Sequence, residues 1–271
     1  MARGISHLPH ALLDGGGLVR RLSGRRPVVF LDYDGTLTPI VERPEDALIS
    51  KSMREAIRGL AERCPVVIVS GRDRRVVQEL MGVDDLIVAG SHGFDIWNPA
   101  GGAIQREEGA GFEGLLDGVK ERLRAETSSI EGALIEPKKT SVAVHYRLVA
   151  EKERQRVQEI VDALVGRHPD ALKVTPGKMV YEIQPKIDWD KGKAVLYLLE
   201  GLDLDREEDV VPLYLGDDIT DEDAFEALKG RGIGIFVGRA DDPEVSGRTT
   251  SADYVLHTTL EVERFLDTLA R

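Results

Sequence analysis

The stretch VVFLDYDGT, residues 28–36, decides the fold. Its first four residues suit a strand buried on both faces, and such strands belong to parallel sheets covered by helices on either side. The strand runs straight into Asp32, Tyr33, Asp34 and Gly35. Two carboxylates with one residue between them therefore stand at its carboxyl end, where open α/β sheets bind their ligands. Working outward, the same apolar texture returns in VVIVS at 66–70, LIVAGS at 86–91, VVPLYLG at 210–216, IGIFVG at 233–238 and YVLH at 254–257. Segments of helical period lie between them. In SMREAIRGLAERC, residues 52–64, Met53, Ile57, Leu60 and Cys64 share one face, with Ser50 or Ser52 as N-cap and Pro65 as the stop. The pattern is that of an α/β fold with a Rossmann-like parallel sheet, and it makes Cys64 a small buried hydrophobe.

From about residue 95 to 185 the texture changes. TSVAVHYR and MVYEIQP alternate apolar and polar residues, as a sheet with one wet face does, and helices are expected over about 112–126 and 151–167. Because α/β segments resume after Lys191, this smaller α/β domain is an insertion into the larger one. We assign the core to 27–108 and 186–271, the insert to 109–185, and an N-terminal extension to 1–26 with a short helix around Leu12, Leu13, Leu18 and Val19. Two chain crossings imply a hinge, and a cleft between domains is a usual ligand site.

The chain has 271 residues, 36 Lys plus Arg against 48 Asp plus Glu, and a formal net charge of -12. This acid surplus argues against a nucleic-acid groove, which would need a basic stripe. One cysteine cannot form an internal disulfide or a Cys-based zinc cluster, which points to a reducing compartment. No apolar run is long enough to span a membrane and the amino terminus lacks a signal-peptide pattern, so a cytoplasmic protein is expected. No motif for an obligate protein partner stands out. An anionic ligand would have to be met by local cations or a metal.

Four elements carry candidate chemistry: Asp32 and Asp34 after the first strand; Ser70, Gly71 and Arg72 after VVIV; Asp217, Asp218 and Asp221 after PLYLG; and Lys191 opening a helix behind Asp190. Each has a plain alternative. The first could be a solvated turn, the second a helix N-cap, the third an acidic helix start, and the fourth an exposed ion pair. All four at strand and helix ends of one sheet is what those alternatives do not explain. An aspartate attacking phosphorus splits one slow hydrolysis into two steps, and a neighbouring carboxyl can protonate the leaving alcohol and then activate water. A divalent cation held by Asp32 and Asp217 would offset the repulsion of the phosphate. Mg²⁺ suits such hard oxygen ligands, and Mn²⁺ or Co²⁺ are compatible with them.

DYDGT at 32–36, SGR at 70–72, Lys191 with Gly192, and GDDITDEDAF at 216–225 resemble the haloacid dehalogenase-like phosphatase superfamily. Together with AGSHG, SVAVHYR, KMVYEIQP and DWDKGKA, they look like the trehalose-6-phosphate phosphatase family. The resemblance implies a haloacid dehalogenase-like core with an α/β cap closing over the sugar. It makes Asp32 the nucleophile, Asp34 the general acid and base, and Ser70, Gly71 and Lys191 phosphate ligands. Mg²⁺ would sit on the Asp32 carboxylate, the Asp34 carbonyl and Asp217, supported by Asp218 and Asp221. Substrate contacts are expected from Arg72, His92, Glu136, Lys138, Arg147, Lys178 and Glu182, with His145 on the face of Arg147. Many relatives carry Arg where this chain has Gln184, which removes a possible cationic contact; fungal and plant relatives often carry an upstream glycosyltransferase-like domain, and with nothing of that size before Arg26, phosphatase activity without synthase activity is expected. The implied substrate is a small sugar phosphate. Alternatives are sucrose phosphate, a mannosyl-phosphoglycerate, or, in another class, a phospho-receiver or an inactive sugar-phosphate sensor. The presence of both Asp32 and Asp34 argues against the last two.

Overall fold

The computed structural model describes residues 3–105 and 111–271, and the expected core–insert boundary at 108/109 lies outside these residues. The chain divides into two units, Met1–Ile104 with Trp189–Arg271, and Gln105–Asp188.

In the larger unit, β1 (Arg3–Gly4), α1 (Gly17–Leu22), β2 (Arg26–Leu31), α2 (Lys51–Ala61), β3 (Val66–Val69), α3 (Arg74–Met81), β4 (Ile87–Gly90), β5 (Asp95–Asn98) and β6 (Gly102–Gln105) come first. The inserted segment follows, with α4 (Glu113–Thr127), β7 (Leu134–Pro137), β8 (Val142–His145), α5 (Glu151–Val165), β9 (Leu172–Gly177) and β10 (Val180–Pro185). The larger unit resumes with α6 (Lys191–Gly201), β11 (Val210–Gly216), α7 (Glu222–Ala227), β12 (Ile233–Val237), β13 (Thr249–Thr250), β14 (Tyr254–Leu256) and α8 (Thr259–Leu269). Its main sheet runs β14-β12-β11-β2-β3-β4-β5-β6, parallel from β14 to β4, with β5 antiparallel to β4.

Strand alternation sorts the core into two layers. Val29 and Leu31 of β2 join one cluster with α2 and α8, while Val28 and Phe30 join the other with α6 and α7. β2 is the centre from which the chain moves one way to β3 and later returns on the other side to β11. That reversal opens a crevice at the strand ends, and Asp32, Ser70 and Asp217 follow these three neighbouring strands.

Helix α2 begins where its sequence dictates. The Ser50 hydroxyl oxygen accepts from the Met53 amide, Met53, Ile57 and Leu60 are buried, and Cys64 is buried beyond the helix end. The N-terminal region departs from expectation. Its helix spans Gly17–Leu22 and buries Leu18, whereas Leu13 and Val19 are exposed and Leu12 precedes the helix. Residues 3–22 also pack on the larger unit, through β1 on β13 and through buried Ile5, Leu8 and Ala11. No described helix is long and apolar enough to cross a membrane.

The inserted unit has a four-stranded antiparallel sheet, β7-β8-β10-β9. One face contributes Val142, Val144, Leu172 and Ile183 to a core shared with Leu116, Val119 and Leu123 of α4 and Val157, Val161 and Leu164 of α5. The other face carries a row aligned across all four strands, Glu136, Ala143, Glu182 and Thr175.

Candidate active site

Asp32 extends the β2–β11 ladder by one residue, its amide donating to Leu215 O at 2.9 Å, and its side chain is buried. Asp32 Oδ1 accepts from Lys191 Nζ at 2.6 Å. Lys191 is the first residue of α6, whose N-cap Asp190 accepts from the Lys193 amide at 2.8 Å. A cation at a helix start is opposed by the helix dipole. Burial opposes it further, yet Asp221 and Asp32 prevail and hold the Lys191 ammonium well above its ordinary pKa. The Asp32 carboxyl is pushed well up by burial, against the pull of Lys191, with Asp221 and Asp217 adding repulsion.

Asp221 ties the site together. Its Oδ1 accepts from Lys191 Nζ at 2.7 Å and from the Tyr214 hydroxyl at 2.6 Å, while Oδ2 accepts from the Asp217 and Asp218 amides, both at 2.9 Å. Burial would raise its pKa, but Lys191 and these donors bring it below the carboxylate range. A Cβ on Gly216 would lie 2.3 Å from Asp221 Cγ, so the glycine before the aspartates makes room for this carboxylate. Asp218 and Asp221 form a reciprocal capping box at the turn Ile219–Asp221, so the helix-start explanation of these residues holds alongside the site explanation.

Ser70 does not cap a helix. Helix α3 starts at Arg74 behind Asp73, and Ser70 Oγ instead accepts from the Arg72 amide at 3.1 Å. The Ser91 amide donates to Arg72 O at 2.7 Å and the His92 amide to Ser70 O at 2.9 Å, which pins the Ser70–Arg72 turn. Ser91 and His92 hold φ of 51° and 55° to do so, left-handed values uncommon outside glycine. The His92 ring lies against Gly71, within 2.7 Å of where a Cβ would stand. Arg72 is turned onto Asp34: Nε donates to Oδ2 at 2.6 Å and Nη2 to Oδ1 at 2.7 Å.

In the inserted unit, Glu182 is buried and accepts from Ser141 Oγ at 2.6 Å and Lys138 Nζ at 3.1 Å. His145 Nε2 lies 2.7 Å from Glu136 Oε2, and Arg147 Nη2 donates to Lys178 O at 2.8 Å. Gln184 donates to Thr175 Oγ1 at 2.5 Å. Glu136, Lys138, His145 and Glu182 thus cluster on or beside one sheet face, whereas Arg147 and Lys178 are joined at the loop end of β8 and β10.

The trehalose-phosphatase family model matches residues 30–258. The chain is also 42% identical over 276 residues to trehalose 6-phosphate phosphatase RA3 of Zea mays, covering 97% of this chain and 74% of that one. The chain belongs to the trehalose-phosphatase family. The C-terminal domain of trehalose-6-phosphate phosphatase from C. albicans shares its fold, with a TM-score of 0.80, 24% identity, and 97% and 98% of the two chains covered. A haloacid dehalogenase-like hydrolase from Bacteroides thetaiotaomicron does so at a TM-score of 0.62, 17% identity, and 90% and 100% coverage. The trehalose-phosphatase chain thus has a mixed α/β fold, with a haloacid dehalogenase-like core and an inserted α/β unit.

Haloacid dehalogenase-like phosphatases typically use a divalent metal, and the residues of this trehalose-phosphatase fit one. Carboxylate oxygens of Asp32, Asp217 and Asp221 lie within 4.8 Å of one another, all buried. One ammonium, Lys191, answers Asp32 and Asp221 together, and carboxylate oxygens gathered this closely are hard ligands suited to a divalent cation. Gly35, at φ 80°, completes the cradle, because a Cβ there would stand 2.0 Å from Asp217 Oδ2. Sequence reasoning missed Tyr214 and Ser141. A tyrosine inside the all-buried VVPLYLG strand was the available signal, since its hydroxyl must find a partner. Ser141, two residues before Ala143 in the β8 segment, gave none.

Proposed function

We propose that this trehalose-phosphatase hydrolyses trehalose 6-phosphate to trehalose and inorganic phosphate in trehalose biosynthesis. The observation that carries the reading is the buried Asp32–Lys191–Asp221 network beside Asp217 at the ends of β2 and β11.

Asp32 Oδ attacks phosphorus, the bond from phosphorus to the sugar oxygen breaks, and Asp34 gives its proton to the departing alkoxide. Asp34, now a carboxylate, takes a proton from water as the water oxygen attacks the phosphoryl group on Asp32. The bond between phosphorus and the aspartyl oxygen breaks, returning Asp32 as a carboxylate and releasing phosphate. Lys191, the Ser70 hydroxyl and the Gly71 amide hold the phosphoryl oxygens. Each pair of like unit charges at ~4 Å costs about 4 kcal/mol at an effective dielectric of ~20. Mg²⁺ is the proposed cation, held by the Asp32 carboxylate, the Asp34 carbonyl and Asp217 and supported by Asp218 and Asp221; when bound it offsets this repulsion. Glu136, Lys138, Arg147, Lys178 and Glu182 of the inserted unit are the proposed sugar contacts. Among them, Glu182 and Lys138 are held in place by their mutual contact.

The test compares phosphate release from trehalose 6-phosphate, sucrose 6-phosphate, glucose 6-phosphate and mannosyl-phosphoglycerate with Mg²⁺. A preference for any of the last three overturns the substrate assignment. Asp32→Asn and chelation are each expected to reduce turnover at least ~10³-fold, and retained turnover in either case removes the aspartyl-phosphate route.

A further inference from the structure

We propose that Arg72 is the positioning residue of Asp34 rather than a substrate contact, and that it works by locking the acid–base carboxyl to the loop that follows it. The inference rests on the proposed acid–base role of Asp34.

The guanidinium is committed on three sides. Its Nε and Nη2 fork onto both oxygens of Asp34, and Nη1 donates to Pro44 O at 2.8 Å. Its Cζ lies over the Tyr33 ring, 5.6 Å from the centroid, and the Tyr33 hydroxyl donates to Ala47 O at 2.6 Å. The same loop is closed at its base, where the Gly35 amide donates to Thr38 O at 2.8 Å and the Thr38 hydroxyl to Leu48 O at 3.3 Å. The Arg72 side chain is 10% exposed while that of Asp34 is 40% exposed. The arginine is thus the fixed partner, built into the β3 turn, and the carboxylate is the end that reaches solvent and a substrate.

A two-point fork fixes the plane of a carboxylate as well as its position, which a single ammonium contact cannot do. Asp34 stands on a turn whose glycine gives its backbone freedom, so an independent element must set where its oxygens point. Arg72 supplies that from the neighbouring strand. The fork holds Asp34 as the carboxylate that takes a proton from the attacking water, and that aimed proton is then handed to the leaving sugar alcohol of the next turnover, which a nitrophenolate leaving group scarcely needs.

Kinetics of Arg72→Met and Arg72→Lys on trehalose 6-phosphate and p-nitrophenyl phosphate, with thermal melts of each variant, test this. Arg72→Met is expected to lower kcat on trehalose 6-phosphate by ~30–100-fold, within the range of general acid–base contributions, with KM changed less than ~3-fold. The nitrophenol burst should change by less than ~3-fold. Arg72→Lys, which keeps the charge but cannot fork, should recover only part of the loss. In an Asp34→Asn background, adding Arg72→Met should cost no more than ~2-fold, the coupling expected of two groups acting as one unit. A rise in KM with kcat preserved, full loss retained in the Asp34→Asn background, or full activity of Arg72→Lys each overturns the proposal. Equal losses on both substrates with a lowered melting temperature would make Arg72 merely structural. A wild-type chain inactive on trehalose 6-phosphate would instead remove the functional reading on which this rests.

Discussion

At position 35 a single methyl group would fill the space that Asp217 occupies. A Cβ there would stand 2.0 Å from Asp217 Oδ2, on a backbone at φ 80° that disfavours any side chain. Gly35→Ala is expected to raise the Mg²⁺ concentration for half-maximal activity by ~10-fold or more, because the displaced group is a proposed metal ligand. A Mg²⁺ titration checks this, and an unchanged midpoint would refute it. Cys64 illustrates the opposite case, a reactive type made inert. Burial pushes its thiol up to about 11, so a thiol reagent at pH 7.5 should label the native chain negligibly and the denatured chain fully. That Asp32, Lys191, Asp217 and Asp221 would come together was legible in the sequence, since they stand at strand and helix ends. Their partners were less so. That Arg72 serves Asp34, and Tyr214 serves Asp221, depends on side-chain direction across neighbouring strands, which spacing along one strand does not reveal.

Among the elements, α2 was readable because its signals are local: a serine cap, one apolar face and a proline beyond the end. The amino-terminal segment was not, because its order comes from contacts distant in sequence. Arg3 pairs with Thr250, and the Ala11 and Val255 amides bond to Val255 O and Pro9 O. His10 Nε2 lies 3.1 Å from Glu261 Oε2 at the start of α8, and the His257 amide donates to the same oxygen. Burial alone would lift the Glu261 carboxyl, but the His257 amide and His10 bring it below the usual range. A depressed carboxyl adds stability above its unfolded value of about 4.3, and that stability is lost as pH falls through the folded value. Glu261→Gln should therefore cost ~1 kcal/mol at pH 7, about 2–4 °C in melting temperature. Parallel melts should show the gap closing below pH ~4, and a gap independent of pH would contradict this origin.

On the scale of the molecule, the chain interrupts one unit to build another. Among its described residues, Gln105–Asp188 has its own antiparallel sheet, helices α4 and α5, and an apolar cluster. Expressed alone, 105–188 should fold and melt cooperatively, as circular dichroism would report, and a flat melt would show that it depends on the rest of the chain. The change of apolar period read from about residue 95 starts too early for the insertion, because 95–104 still belong to the larger unit as β5 and β6 of its main sheet. The larger unit has the reverse property. Its central strand β2 receives β3 within a few dozen residues but waits for β11, which follows the whole insertion. At ~5–20 residues per second, synthesis leaves one edge of β2 open for on the order of 10–40 s, an interval in which an unpaired apolar strand can recruit another chain. A chain stopped at Asp188 should accordingly aggregate while the insert alone stays soluble. The strand order that brings Asp32 beside Asp217 thus leaves the growing chain with an open sheet edge until β11 has been made.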